Sequence, residues 1–94
     1  MKIFRSQKYR SWVATHQCLA CGFGPCDPHH EPLGENMTGN KPPDSFCTPL
    51  CRECHNLRHA RGPSFWTEIN RDPKMEIIKL LTRWLMMKGG KNGF

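Results

Sequence analysis

Cys51-Arg52-Glu53-Cys54-His55-Asn56-Leu57-Arg58-His59, residues 51–59, puts two kinds of metal-binding side chain into one short run. Cys51 and Cys54 form a C-x2-C pair. Upstream, Cys18-Leu19-Ala20-Cys21-Gly22 supplies a second pair of the same spacing, separated from the first by residues 22–50. Two such pairs suit one tetrahedral zinc, and they divide poorly into a disulfide framework. Four thiolates close the coordination sphere, so the spacing predicts a structural site. Gly22 gives the first knuckle the backbone freedom to turn amide groups toward the sulfurs. Cys26 and Cys47 remain over, either as buried apolar residues or as replacements for a ligand in that set.

The chain is 94 residues long, which predicts one domain over 1–94. A chain of this size buries only about 60–65% of its unfolded surface, so a bound metal is an effective supplement to a small apolar core. The first residues, MKIFRSQKYR, are basic and lack an apolar stretch of the kind that directs secretion. The apolar run within residues 77–87 is broken by Lys79, Thr82 and Arg83, too polar to span a bilayer. Reduced cysteines in a cytoplasmic, intracellular setting with no membrane association are therefore expected. The formal charge is +6, from 14 Lys and Arg against 8 Asp and Glu, and it favours a polyanionic partner.

Working outward from residues 51–59, helix is expected from Cys51 to Arg61, with Gly62 as its C-terminal cap. Pro63 permits a new helical start through Phe65, Trp66 and Ile69. Asp72-Pro73 then opens a further helix, with Asp as cap and Pro at the first position. Its expected apolar stripe is Ile77, Ile78, Leu81, Trp84 and Leu85, and Gly89-Gly90 should end it. Toward the N-terminus, extended pieces are expected over Asp27–Glu31 and Ser45–Leu50, joined by a loop from Gly34 to Pro43. Ser6 should cap a helix over 6–15 that turns Tyr9, Trp12 and Val13 toward the core. The plan is an N-terminal helix at 6–15, a metal-organised core at 16–62, C-terminal helices at 63–88 and a frayed tail at 89–94. The fold class is α+β: a short two-stranded antiparallel hairpin flanked by helices and stapled by zinc. Trp12, Phe65, Trp66 and Trp84 are expected in core packing.

His29-His30 lies on the first extended piece, and His55 and His59 are four apart on the helix after the second cysteine pair. Residues at i and i+4 share a helix face, so both helical imidazoles can aim at one point. Neutral imidazole is a common ligand for transition metals. Neighbouring side chains on a strand point to opposite faces, which separates His29 from His30. His16, just before the first knuckle, is expected to be structural or exposed.

At these residues the chain resembles the HNH endonucleases, the His-Me finger or ββα-metal superfamily, and in particular its short zinc-containing phage and prophage members and Ref-type recombination nucleases. The matching residues are Cys18-Leu19-Ala20-Cys21-Gly22, Asp27-Pro28-His29-His30, Lys41-Pro42-Pro43-Asp44, Pro49-Leu50-Cys51-Arg52-Glu53-Cys54-His55 and Leu57-Arg58-His59. The resemblance covers roughly residues 9 to 66. It implies that His29 binds a catalytic divalent metal, that His30 is the general base, and that His55 is the helical metal ligand, with His59 a second candidate. The family's middle Asn has no match: Asp44 stands near its position, with Asn40 just before it. Asp44 could orient His30 or touch the metal. The implied ion is Mn2+, Mg2+, Ni2+ or Zn2+, in addition to the structural Zn2+ on Cys18, Cys21, Cys51 and Cys54. Imidazoles favour the later metals, and a carboxylate from Asp44 would shift the preference toward Mg2+ or Mn2+.

The implied function is hydrolysis of DNA phosphodiester bonds, by nicking or structure-selective cutting, with RNA left open as a substrate. Arg52, Arg58 and Arg61 are expected to grip flanking phosphates. A homodimer is left open, since two sites are needed for a double-strand break. Two other readings compete: a non-catalytic zinc-ribbon module that binds nucleic acid, and an inert protein in which His29, His30 and His55 hold a second structural zinc. The His-His pair discriminates, because simple binding does not need it.

Overall fold

The computed structural model describes residues 3–33 and 41–92, without the side chains of 88–92. Helix α1 spans Gln7–Ala14, strand β1 Cys26–His30, strand β2 Cys47–Cys51, helix α2 Arg52–Arg61, helix α3 Ser64–Glu68 and helix α4 Pro73–Asn92. A 3-10 turn at Asp44–Phe46 leads into β2. The class is α+β, with one two-stranded antiparallel sheet and helices around it. Among the described residues no helix is long and apolar enough to cross a membrane.

Local chemistry accounts for the boundaries. Ser6 caps α1, its hydroxyl accepting from the Tyr9 amide at 3.1 Å. Gly62 ends α2 at φ +68°, a left-handed value that disfavours side chains, and its N–H bonds the Arg58 carbonyl at 3.0 Å. Asp72 accepts the Lys74 amide at 3.0 Å and so starts α4 as expected. Gly89-Gly90 does not end that helix, which continues to Asn92. Glycine permits a left-handed exit without imposing one, and inside a helix it costs only about 1 kcal/mol. Ser45 and Phe46 belong to the 3-10 turn, so β2 begins later than expected. Asn40 and most of the expected loop lie outside the described residues.

Two small cores flank the hairpin. One gathers Cys18, Cys26, Leu50, Cys54, Phe65 and Trp66. The other gathers Tyr9, Val13, Cys47 and Leu80, with Trp12, Leu81 and Trp84 packed against it. All four aromatics assigned to packing take part. The α4 stripe is rotated from the expected one: Ile77 and Leu80 are buried, whereas Ile78 and Leu85 are exposed. Among the described residues α4 packs on β2 and the 3-10 turn, and both 77–80–81–84 and 78–81–85 satisfy helical spacing, so the packing partner made the choice.

The register places β1 and β2 so that Cys26 faces Cys51 at one end and His30 faces Cys47 at the other. Helix α2 follows β2 without a loop, so the cysteine end and the histidine end are linked by one strand–strand–helix unit.

Candidate functional site

The four paired cysteines converge. One sulfur from each of Cys18, Cys21, Cys51 and Cys54 lies within 4.8 Å of the others. The sulfurs of Cys21 and Cys51 are 3.6 Å apart, far beyond a disulfide bond and close to the roughly 3.8 Å edge of a tetrahedron with zinc–sulfur distances of about 2.3 Å. Gly22 sits at φ +81°, a left-handed conformation. It brings the knuckle round so that its N–H bonds the Cys18 carbonyl at 2.9 Å, while Ala20 N–H points at the Cys18 sulfur at 3.4 Å. Burial alone would raise the Cys18 thiol, but amides of Cys51, Cys21 and Ala20 outweigh it and bring it down to about 6. At Cys18 these donors favour thiolate, the form that binds metal, whereas burial and the neighbouring cysteines push the Cys54 thiol upward. These residues fit a structural metal such as zinc. Cys26 and Cys47 are buried outside this set and behave as core residues, their thiols pushed up by burial to about 11 and about 12 respectively.

At the other end of the hairpin, three imidazoles meet. Nitrogens from His29, His55 and His59 lie within 4.8 Å of one another. Ring centroids are 4.8 Å apart for His29–His55 and for His55–His59, and 5.3 Å for His29–His59. The Nε2 atoms of His55 and His59 are 3.1 Å apart. Two nitrogens each about 2.1 Å from one ion stand roughly 3.0–3.4 Å apart, so this spacing suits shared coordination.

The alternation of β1 explains the convergence. Asp27, His29 and Glu31 take one side, toward α2, and His30 takes the other. Asp27 Oδ2 accepts from His55 Nδ1 at 3.0 Å, and Glu31 Oε1 accepts from His29 Nε2 at 2.9 Å. A carboxylate accepts here, so the N–H of each ring points at its carboxylate and the other ring nitrogen is left for a metal. His29 is 2% exposed, and burial holds its pKa below the ordinary imidazole value despite Glu31. It is thus neutral near pH 7, as a ligand must be.

Glu31 did not stand out in the sequence, although its place two residues after His29 put it on the same strand face. Its carboxylate also receives Arg58 Nε at 3.0 Å, Arg58 Nη2 at 2.8 Å and Trp66 Nε1 at 2.9 Å. Burial would raise this carboxyl, but the bonds from His29, Arg58 and Trp66 prevail and lower it to about 2. Arg58 is consequently removed from the role expected of it. Its guanidinium is buried and paired with Glu31. Arg61 pairs with Glu68 at 2.5 Å, and Arg52 with Asp27 at 3.2 Å. Both remain substantially exposed.

His30 turns to the α1 side, where its Nε2 donates to Asp44 Oδ1 at 2.8 Å. Asp44 therefore sits with His30 and not with the three-histidine group. His29, His30 and His59 nonetheless line a common cleft of about 150 Å³ with Pro32, Pro42 and Arg58. His16 packs edge-on against Trp12 and shares no site with the other histidines.

A family model described as DUF968, protein of unknown function, matches residues 1–86. The chain belongs to the DUF968 family. Over 73 residues this DUF968 chain is 42% identical to the uncharacterized protein YdfU of Escherichia coli (strain K12). That match covers 77% of the chain and 20% of YdfU, so the chain corresponds to a minor part of the longer protein. No solved structure matches it.

Proposed function

We propose that this DUF968 chain is a metal-dependent phosphodiesterase of the HNH type, nicking DNA with His30 as general base. The observation that carries the reading is the pairing of two imidazole functions across one strand end. His29, His55 and His59 form a ligand cluster on one side, and His30, oriented by Asp44, lines one cleft with His29 and His59.

The residues divide the work as follows. Asp44 accepts a hydrogen bond from His30 Nε2–H, which assigns Nδ1 to accept a proton from water in line with phosphorus. Asp27 and Glu31 fix the ring orientations of His55 and His29. A divalent ion on His29, His55 and His59 would supply stabilisation of charge on the phosphate and the departing oxygen. Three imidazoles, with no carboxylate in the group, favour Mn2+, Ni2+ or Zn2+ over Mg2+. Arg52 and Arg61, both still exposed, are the arginines left to hold flanking phosphates.

The test is plasmid nicking by zinc-loaded protein with added Mn2+. Supercoiled DNA should become open circle, and His30→Ala should abolish this while retaining zinc and circular dichroism. If His30→Ala nicks at the parental rate, the mechanism fails. A protein that binds DNA but never nicks under any divalent ion would instead be a zinc-stabilised binding module.

A further inference from the structure

Phe23 is the most exposed large apolar side chain among the described residues, at 75%. Its backbone is firmly held all the same. The Phe23 carbonyl accepts from Cys18 N–H at 3.0 Å and from the Cys26 thiol at 3.5 Å, which ties the residue to the cysteine knuckle. The four aromatics assigned to packing, Trp12, Phe65, Trp66 and Trp84, take part in the two cores, whereas Phe23 faces solvent on a backbone tied to the knuckle.

Beside it, Phe23 and Arg52 line one cleft of about 460 Å³, whose walls include Cys21, Cys51 and Cys54. The Arg52 side chain is 76% exposed. Its Nη2 donates to Asp27 Oδ1, and Asp27 Oδ2 accepts from His55. One carboxylate therefore stands between the Arg52 guanidinium and an imidazole of the three-histidine group.

We propose that Phe23 and Arg52 form a stacking platform for an unpaired nucleobase of the strand whose phosphate is bound at the histidine group, so that the chain prefers nucleic acid with single-stranded character; this rests on the phosphodiesterase reading above. Aromatic rings and planar guanidinium groups both stack on base faces, and such contacts are largely blind to sequence. A base within a duplex has both faces covered by its neighbours, so it cannot use the platform without first leaving the stack. Positive charge on Arg52 adds attraction for the adjoining backbone. Flaps, gaps, branches and free single strands are the substrates this arrangement fits.

The experiment is fluorescence anisotropy of a labelled 12-nucleotide dT strand and of a blunt duplex, using zinc-loaded protein without added second metal. Phe23→Ala should weaken dT binding about ten- to hundred-fold and change duplex binding less than twofold. Phe23→Trp should retain the parental affinity for dT. Phe23→Leu should fall with the alanine variant, since it is apolar but lacks a π face. Arg52→Lys, which keeps charge and loses the plane, should also weaken dT binding. Equal dT binding by Phe23→Ala, equal losses on both substrates, or full rescue by Phe23→Leu would each overturn the platform. Should Phe23→Ala lose zinc, the leucine and tryptophan variants still decide the matter. No cleavage is read, so failure to nick plasmid would remove the hydrolytic reading and leave this result standing on its own.

Discussion

The Nε2 atom of His30 stands 2.8 Å from Oδ1 of Asp44, and the carboxylate is itself tied down on its other side. Asp44 Oδ2 accepts the Ser6 amide at 2.7 Å and pairs with Arg10 Nε at 3.1 Å, while Arg5 Nη1 lies 3.4 Å from Oδ1. One buried carboxylate thus joins the cap of α1, the entry to β2 and the end of β1. Burial would raise the Asp44 carboxyl, but the bonds from His30 and Ser6 and the charge of Arg10 hold it below the ordinary range. It is ionised near pH 7 and can fix the tautomer of His30.

Asp44→Asn tests that relationship. The amide can satisfy only one side, since its NH2 group would confront the Ser6 N–H or His30. Stability should fall by about 2 kcal/mol in a denaturant titration. Plasmid nicking should fall about 10–100-fold, with zinc content unchanged. Nicking at the parental rate would mean that Asp44 serves the fold alone.

Glu31→Gln should weaken the three-histidine site without touching a ligand. With its oxygen in place of Oε1 an amide still meets the donors from His29, Arg58 Nε and Trp66, but its NH2 group then confronts Arg58 Nη2 where Oε2 accepted, and the buried Arg58 charge is left unpaired. A loss of about 3 kcal/mol in stability is expected. Calorimetric titration of Ni2+ into zinc-loaded protein should show affinity reduced about 10–100-fold. Unchanged Ni2+ affinity in folded protein would count against the orienting role.

Cys51→Ser should release the structural metal and most of the folded population. Zinc binding to four thiolates contributes on the order of 10 kcal/mol, comparable to the whole stability of a small domain. Metal analysis and circular dichroism should fall together, and a strong chelator should reproduce the effect on the parent chain. A folded, zinc-free Cys51→Ser protein would contradict the structural assignment.

Tyr9 gives the pH dependence a clear reporter, because it is the chain's single tyrosine. Burial first, and the neighbouring Cys47 second, raise its pKa to about 12. The folded state therefore retains a proton that the unfolded chain loses near pH 10, so the stabilising contribution is complete below pH 10. It disappears as pH rises from about 10 through 12, amounting to roughly 2–3 kcal/mol. Tyrosinate absorbance at 295 nm should rise near pH 12, or together with alkaline unfolding, and a midpoint near 10 in folded protein would refute the prediction. The Tyr9 hydroxyl is buried with no hydrogen-bond partner among the described residues, so Tyr9→Phe should be neutral or slightly stabilising in denaturant.

Much of this was legible in the residues themselves. Cysteine spacing named the four sulfurs that converge, because ligand geometry constrains how closely paired donors must follow one another in the chain. Caps at Ser6, Gly62 and Asp72 set helix ends through local hydrogen bonding, and alternation along β1 separated His29 from His30. Tertiary structure alone decided which side of α4 is buried, since Ile78 and Leu85 satisfy helical spacing as well as Ile77 and Leu80 do. It also turned Arg58 inward and made Glu31 the acceptor of four hydrogen bonds. A carboxylate and a guanidinium 27 residues apart carry no mark of their pairing until β1 and α2 come together, and burial then makes leaving either charge unpaired more costly than joining them.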